Sequence, residues 1–98
     1  MRIVEKIDKD LKVLIPGFME ITQQEIEDLR QALDSGDLKS TARIGHNIKG
    51  SALNYGFQHL GDIGLRIESQ SVQQNVEGVR AEFERLKKYV EQVEVEYY

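Results

Sequence analysis

The stretch Gly45-His46-Asn47-Ile48-Lys49-Gly50-Ser51 sets a lysine three residues and a glycine four residues after a histidine, inside a helical pattern. Two glycines inside a helix each cost on the order of 1 kcal/mol relative to alanine, so helix stability does not select them. Gly45 lies on the apolar stripe, where close helix packing accounts for it; Gly50 lies off the stripe and needs another reason. At about 100° per residue, His46 points roughly 130° away from the stripe centre, toward solvent, with Ala42, Arg43, Lys49 and Gly50 as its helical neighbours. An imidazole is a capable nucleophile near neutral pH, and Lys49 can offset charge on a transferring phosphoryl group. Gly50 leaves room for a second protein to close over the ring. Phosphoryl transfer asks for alignment and electrostatics more than covalent machinery, so a few residues suffice. A lone surface histidine with a lysine at i+3 is also commonplace, and the local chemistry leaves both readings open.

The elements that must position this histidine are helical. Val4, Ile7, Leu11 and Leu14 recur at three-four spacing and predict a short first helix over about 4–15. Pro16 suits a first helical turn and starts a long helix over 16–34, with Phe18 or Met19, Thr22, Ile26, Leu29 and Leu33 on its seam. Asp34-Ser35-Gly36-Asp37 is turn chemistry, with Asp37 as N-cap of a helix over 37–55 that ends in a left-handed cap at Gly56. A helix over 57–71 carries Leu60, Gly64, Ile67 and Ser71. The last, over 75–95, repeats Val76, Val79, Phe83, Leu86, Val90 and Val93. Only the tail Val93-Glu94-Val95-Glu96-Tyr97 alternates like a strand. Four long amphipathic helices on short loops predict an all-α, up-down antiparallel four-helix bundle with a short extra N-terminal helix, forming one domain over 1–98.

Composition narrows the function classes. A net charge of −4 disfavours nucleic acid and anionic membrane as main partners. With no cysteine there is no disulfide framework, thiol nucleophile or cysteine-based zinc site, and two histidines thirteen positions apart make a poor metal site. The first residues lack the apolar core of a signal peptide, and no apolar run approaches the roughly 20 residues that span a bilayer, which predicts a cytoplasmic protein. Neither a Walker-type loop nor a glycine-rich lid is present, so no ATP site of its own is expected.

His46-Asn47-Ile48-Lys49-Gly50-Ser51-Ala52, followed by Tyr55-Gly56-Phe57 and Leu60, resembles the signature of histidine-phosphotransfer (HPt) domains of bacterial two-component phosphorelays: His-x-x-Lys-Gly, small residues, then a corner of glycine flanked on each side by an aromatic or aliphatic residue, and a leucine. The resemblance covers nearly the whole chain. It implies that His46 accepts the phosphoryl group through Nε2, that Lys49 attends it, and that Gly50 lets an aspartate-bearing receiver domain approach. Glu68 matches the position where related domains place a Gln or Glu beside the imidazole. A carboxylate there would accept a hydrogen bond from Nδ1, fix the tautomer and raise nucleophilicity, although an ordinary solvated charge is an equal reading. Lys39, Ala42, Arg43 and Leu53 share the His46 face, which the resemblance makes a docking surface for a receiver domain.

The resemblance further implies a phosphocarrier rather than an enzyme, with a response-regulator receiver domain and a sensor histidine kinase as partners, a monomeric state, and no cofactor beyond Mg on the receiver. His59 reads as structural. Two other readings stand beside the carrier: a docking module without chemistry, and the phosphoacceptor domain of a larger chemotaxis-type kinase, which Glu68 favours.

Overall fold

A computed structural model describes residues 2–98. The order is β1 (Ile3–Ile7), a 3-10 helix (Lys9–Leu14), α1 (Ile15–Asp34), α2 (Leu38–Tyr55), α3 (Gln58–Val72), α4 (Val76–Gln92) and β2 (Val93–Tyr97). The helix ends follow local chemistry. Pro16 sits in the first turn of α1. Asp37 caps α2 by accepting from Ser40 N at 3.1 Å, and Asn75 caps α4 by accepting from Gly78 N at 3.0 Å. Gly56, at φ +90°, reverses the chain after α2 in the left-handed region that a side chain would disfavour.

The four helices pack in a closed ring, each against two neighbours, with the α2–α3 contact by far the most extensive. Their buried apolar residues form one cluster, led by Leu29, Ile48, Ala52, Phe57, Leu60, Ile67, Val79 and Leu86. Phe18 of α1 stacks on Tyr55 and on Phe57, each with ring centroids 4.7 Å apart, so the aromatic corner ties α1 to the α2–α3 turn. Thr41 and Ser71, both buried between α2 and α3, bond to each other at 2.6 Å.

The short N-terminal helix expected over 4–15 is found only in part, as the 3-10 helix over Lys9–Leu14. Residues 3–7 form a strand instead, paired in parallel with β2 in the register Ile3↔Val93 to Ile7↔Tyr97. The three-four spacing of Val4, Ile7, Leu11 and Leu14 misled because the inward-facing set is Ile3, Glu5 and Ile7, a period of two, while Leu14 is largely exposed. A charged residue occupies the central inward position and hides the alternation. The same pairing corrects the last helix: α4 stops at Gln92, and residues 93–95 leave it for β2. Parallel strands need a long crossover, and here the whole helical body supplies it.

Glu5 is the buried charge that this strand carries inward. Its carboxylate accepts from His59 N at 3.2 Å, Leu60 N at 3.1 Å and the Tyr89 hydroxyl at 2.7 Å. The first turn of α3 has no side-chain cap from its own N-cap residue, Phe57, so a carboxylate more than fifty residues away satisfies its orphan N–H groups. Burial, and then the hydrogen bond to Glu5, push the Tyr89 hydroxyl far above its ordinary range, so it remains a donor. Replacing Glu5 with leucine strands these buried donors and is expected to cost about 3 kcal/mol, against about 1 kcal/mol for Tyr89→Phe. Urea unfolding of the two variants checks the difference.

Candidate functional site

The site is set by a notch where α2 and α3 meet. Gly45 and Gly64 face each other there. A Cβ on Gly45 would lie 2.7 Å from Glu68 N and 2.9 Å from Gly64 O, and one on Gly64 would lie 2.6 Å from Lys49 N and 2.9 Å from Gly45 O. No side chain fits between the two backbones, so the helices touch at closer range than any other residue pair allows. This approach brings Glu68 of α3 within reach of His46 and Lys49, which flank Gly45 and Ile48 on α2.

Glu68 bridges both. His46 Nδ1 donates to Glu68 Oε2 at 2.9 Å, and Lys49 Nζ donates to Glu68 Oε1 at 3.1 Å. An ionised carboxylate only accepts, so Nδ1 carries the proton and a neutral ring keeps its lone pair on Nε2. Nε2 takes no hydrogen bond among the described residues, and the His46 side chain is 62% exposed while those of Lys49 and Glu68 are 28% and 26% exposed. Nε2 is thus the unpartnered nitrogen of an exposed ring anchored at its other edge.

The Lys49 ammonium, aided by the His46 ring, holds the Glu68 carboxyl below its ordinary range. Because its folded value is lowered, ionised Glu68 contributes stability that is complete above the ordinary carboxylate range. That contribution is lost as pH falls through the lowered value. In an NMR titration the Glu68 carboxyl should have its midpoint below that of a free glutamate, and Lys49→Met should move it upward. Exposure of the group keeps the stability effect small.

The other residues expected at the site all lie on α2. At about 100° per residue, Lys39, Ala42, Arg43, Gly50 and Leu53 fall within about 60° of His46 around the helix axis. Lys39, Arg43, Gly50 and Leu53 are exposed and Ala42 is half-buried. A Cβ on Gly50 would meet nothing within 4 Å, so internal packing does not explain that glycine. His59 stands apart at the start of α3, where its backbone N–H meets Glu5. Sequence spacing does not announce the Lys49–Glu68 contact: nineteen residues separate the pair, and only the glycine notch, with Gly64 on the α3 seam, brings them together. Among the described residues, no group of three or more His, Cys, Asp or Glu side chains could hold a metal ion, and no helix is long and apolar enough to cross a membrane.

Four packed helices that present one histidine, open at Nε2 and anchored at Nδ1, have the build of a histidine-phosphotransfer protein. The Hpt domain family model matches residues 14–96, and the chain belongs to that family. The matched span begins at the end of the 3-10 helix, so β1 lies outside it. No curated protein and no solved structure gives a significant match. Hpt domains take part in histidine phosphotransfer in two-component signalling, where they meet receiver domains and kinases.

Proposed function

We propose that the chain is a phosphocarrier that accepts a phosphoryl group on His46 Nε2 and exchanges it with the aspartate of a response-regulator receiver domain. The observation that carries this reading is the Glu68 bridge, which leaves Nε2 as the free, unprotonated ring nitrogen. In the accepting direction, the Nε2 lone pair attacks phosphorus, the N–P bond forms, and the P–O bond to the receiver aspartate breaks with the electron pair leaving on the carboxylate. Nδ1 keeps its proton throughout, so the phosphorylated ring is cationic, and the Glu68 carboxylate stabilises that charge. Lys49 has ammonium protons beyond the one given to Glu68 and offers them to the phosphoryl oxygens. The Mg that assists at the receiver aspartate belongs to the partner.

Lys39, Ala42, Arg43, Gly50 and Leu53 form the docking face in this reading. Apolar contact comes from Ala42 and Leu53, and the open position at Gly50 admits the receiver to the ring. The chain acts as one domain, without an ATP site, as a monomer that meets its partners singly. A sensor histidine kinase feeds the relay, and such partners imply a cytoplasmic place of action. The short connections over 35–37, 56–57 and 73–75 support an up-down antiparallel course for the four helices.

The test is transfer of radiolabel from a phosphorylated receiver domain. Label should reach the wild-type chain in an acid-labile, alkali-stable form, as expected of a phosphoramidate, and should not reach His46→Gln. Receiver binding without transfer to the wild type would leave a docking module, and equal labelling of the variant would refute the assignment of His46.

A further inference from the structure

We propose, resting on the phosphocarrier reading for the identity of the partner, that α3 supplies a second part of the receiver's seat. Leu65 and Val72 are docking residues that set which receiver domain His46 serves. Leu65 is 49% exposed and Val72 71% exposed, and neither belongs to the apolar core. A single exposed apolar residue means little; the placement of these two is what counts. At about 100° per residue both fall within about 60° of Glu68 around α3, one about a turn before it and the other about a turn after it.

Each has an apolar residue of α2 at its own level. Leu53 lies over Gly61, its Cδ2 2.9 Å from where a Cβ of that glycine would be, and Gly61 is about one turn from Leu65 on the same stripe of α3. At the other end the Thr41–Ser71 bond, 2.6 Å long, sets α2 and α3 level, and the next residues along are Ala42 and Val72. The polar bridge of His46, Glu68 and Lys49 is therefore bracketed, by Leu53 and Leu65 on one side and by Ala42 and Val72 on the other.

The occupant follows from reach. An aspartate that exchanges a phosphoryl group with Nε2 must come within bonding distance of it. A protein partner of ordinary size covers about 800 Å² on each side, a disc of roughly 16 Å radius. Leu65 and Val72 lie only about 4.5 Å and 6 Å along α3 from Glu68, which touches His46, so a partner seated on the ring covers both. Apolar contacts at the two ends of the bridge exclude water as the partner seats, and the charges between them act more strongly once dry. The α1 side of His46 differs: there Glu25, Asp28 and Gln31 of α1 line a polar trough with Arg43 and Asn47 of α2. A receiver turned to place its apolar side chains against that trough loses the α3 contacts and desolvates carboxylates, so the surface favours one orientation about the ring.

Isothermal titration calorimetry of the chain with receiver domains of its own organism, each unphosphorylated and with Mg, tests this surface. The double variant Leu65→Gln/Val72→Gln should bind its receiver about tenfold or more weakly than the wild type. Val13→Gln, which removes a still more exposed apolar residue from the 3-10 helix, should bind as the wild type does. Circular dichroism and long-range ¹H–¹⁵N spectra check that the variants remain folded and that His46 keeps its tautomer. In label transfer the loss should fall on KM, with the rate inside the bound complex kept. Binding that depends on Leu65 and Val72 without transfer of label would sink the carrier reading and leave this surface standing. Transfer to His46 with unchanged KM and affinity in the double variant would do the reverse. Absence of receiver binding, an equal loss in Val13→Gln, or use of Leu65 and Val72 for self-association alone would also overturn the proposal.

Discussion

Gly64→Ala is expected to destabilise the protein by about 2 kcal/mol, while Gly50→Ala is expected to stabilise it by about 1 kcal/mol. Alanine is the better helix former at both positions, and on propensity alone both changes would help. At Gly64 the added methyl meets Lys49 N at 2.6 Å and Gly45 O at 2.9 Å. Both atoms belong to helix backbone and cannot swing aside, so α2 and α3 must separate. Overpacking of this kind costs roughly 1–3 kcal/mol and outweighs the gain in propensity. At Gly50 the methyl meets nothing within 4 Å, and the propensity gain stands alone. With about 4–8 °C of melting temperature per kcal/mol in a domain of this size, thermal unfolding resolves the opposite signs. The functional consequences follow the geometry. Separating α2 from α3 draws Glu68 away from His46, so Gly64→Ala should also slow phosphoryl acceptance. A larger side chain, as in Gly50→Leu, should leave a stable protein with a blocked approach to the ring.

Glu68→Ala is expected to slow phosphoryl acceptance by about 10- to 100-fold, or about 1.4–2.7 kcal/mol at the barrier, with little change in stability. Three effects act together. The neutral imidazole loses the acceptor that keeps its proton on Nδ1, so part of the population carries that proton on the attacking nitrogen. The cationic ring formed on phosphorylation loses its counter-charge. Lys49, freed from Glu68, loses the contact that orients it. Glu68→Gln keeps an oxygen that can accept from Nδ1 and should recover part of the rate. The readout that separates positioning from a general loss of structure is the ring tautomer. Long-range ¹H–¹⁵N spectra should show one protonated nitrogen at Nδ1 in the wild type and a mixture of tautomers in Glu68→Ala. An unchanged rate together with an unchanged tautomer would show that Glu68 is only a solvated charge.

Much of this arrangement is legible in the sequence because it depends on neighbours along the chain. Helical period marks the apolar seams, Asp37 and Gly56 mark the ends of α2, and the off-stripe position of His46 follows from residue spacing. What could not be read depends on partners far apart. The β1–β2 pairing joins the two ends of the chain, and no local pattern in Ile3-Val4-Glu5-Lys6-Ile7 announces it. Glu5 resembles an ordinary surface charge until α3 and Tyr89 are placed around it. Tyr89 lies outside the Val-Phe-Leu repeat of α4, yet it is only 1% exposed. Spacing from His46 points Lys49 at a phosphoryl group alone, whereas in the resting protein it is already held by Glu68.

In the proposed transfer, Nε2 of His46 is the accepting atom while Nδ1 stays protonated against Glu68. The measurement that tests it most directly is a long-range ¹H–¹⁵N spectrum of the imidazoles, recorded before and after phosphorylation by a charged receiver domain. Only two histidines are present, so His59 serves as the internal control. Nε2 of His46 alone should change and couple to ³¹P, with Nδ1 still protonated and His59 unmoved. Phosphorylation at Nδ1, at His59 or at neither histidine would contradict it.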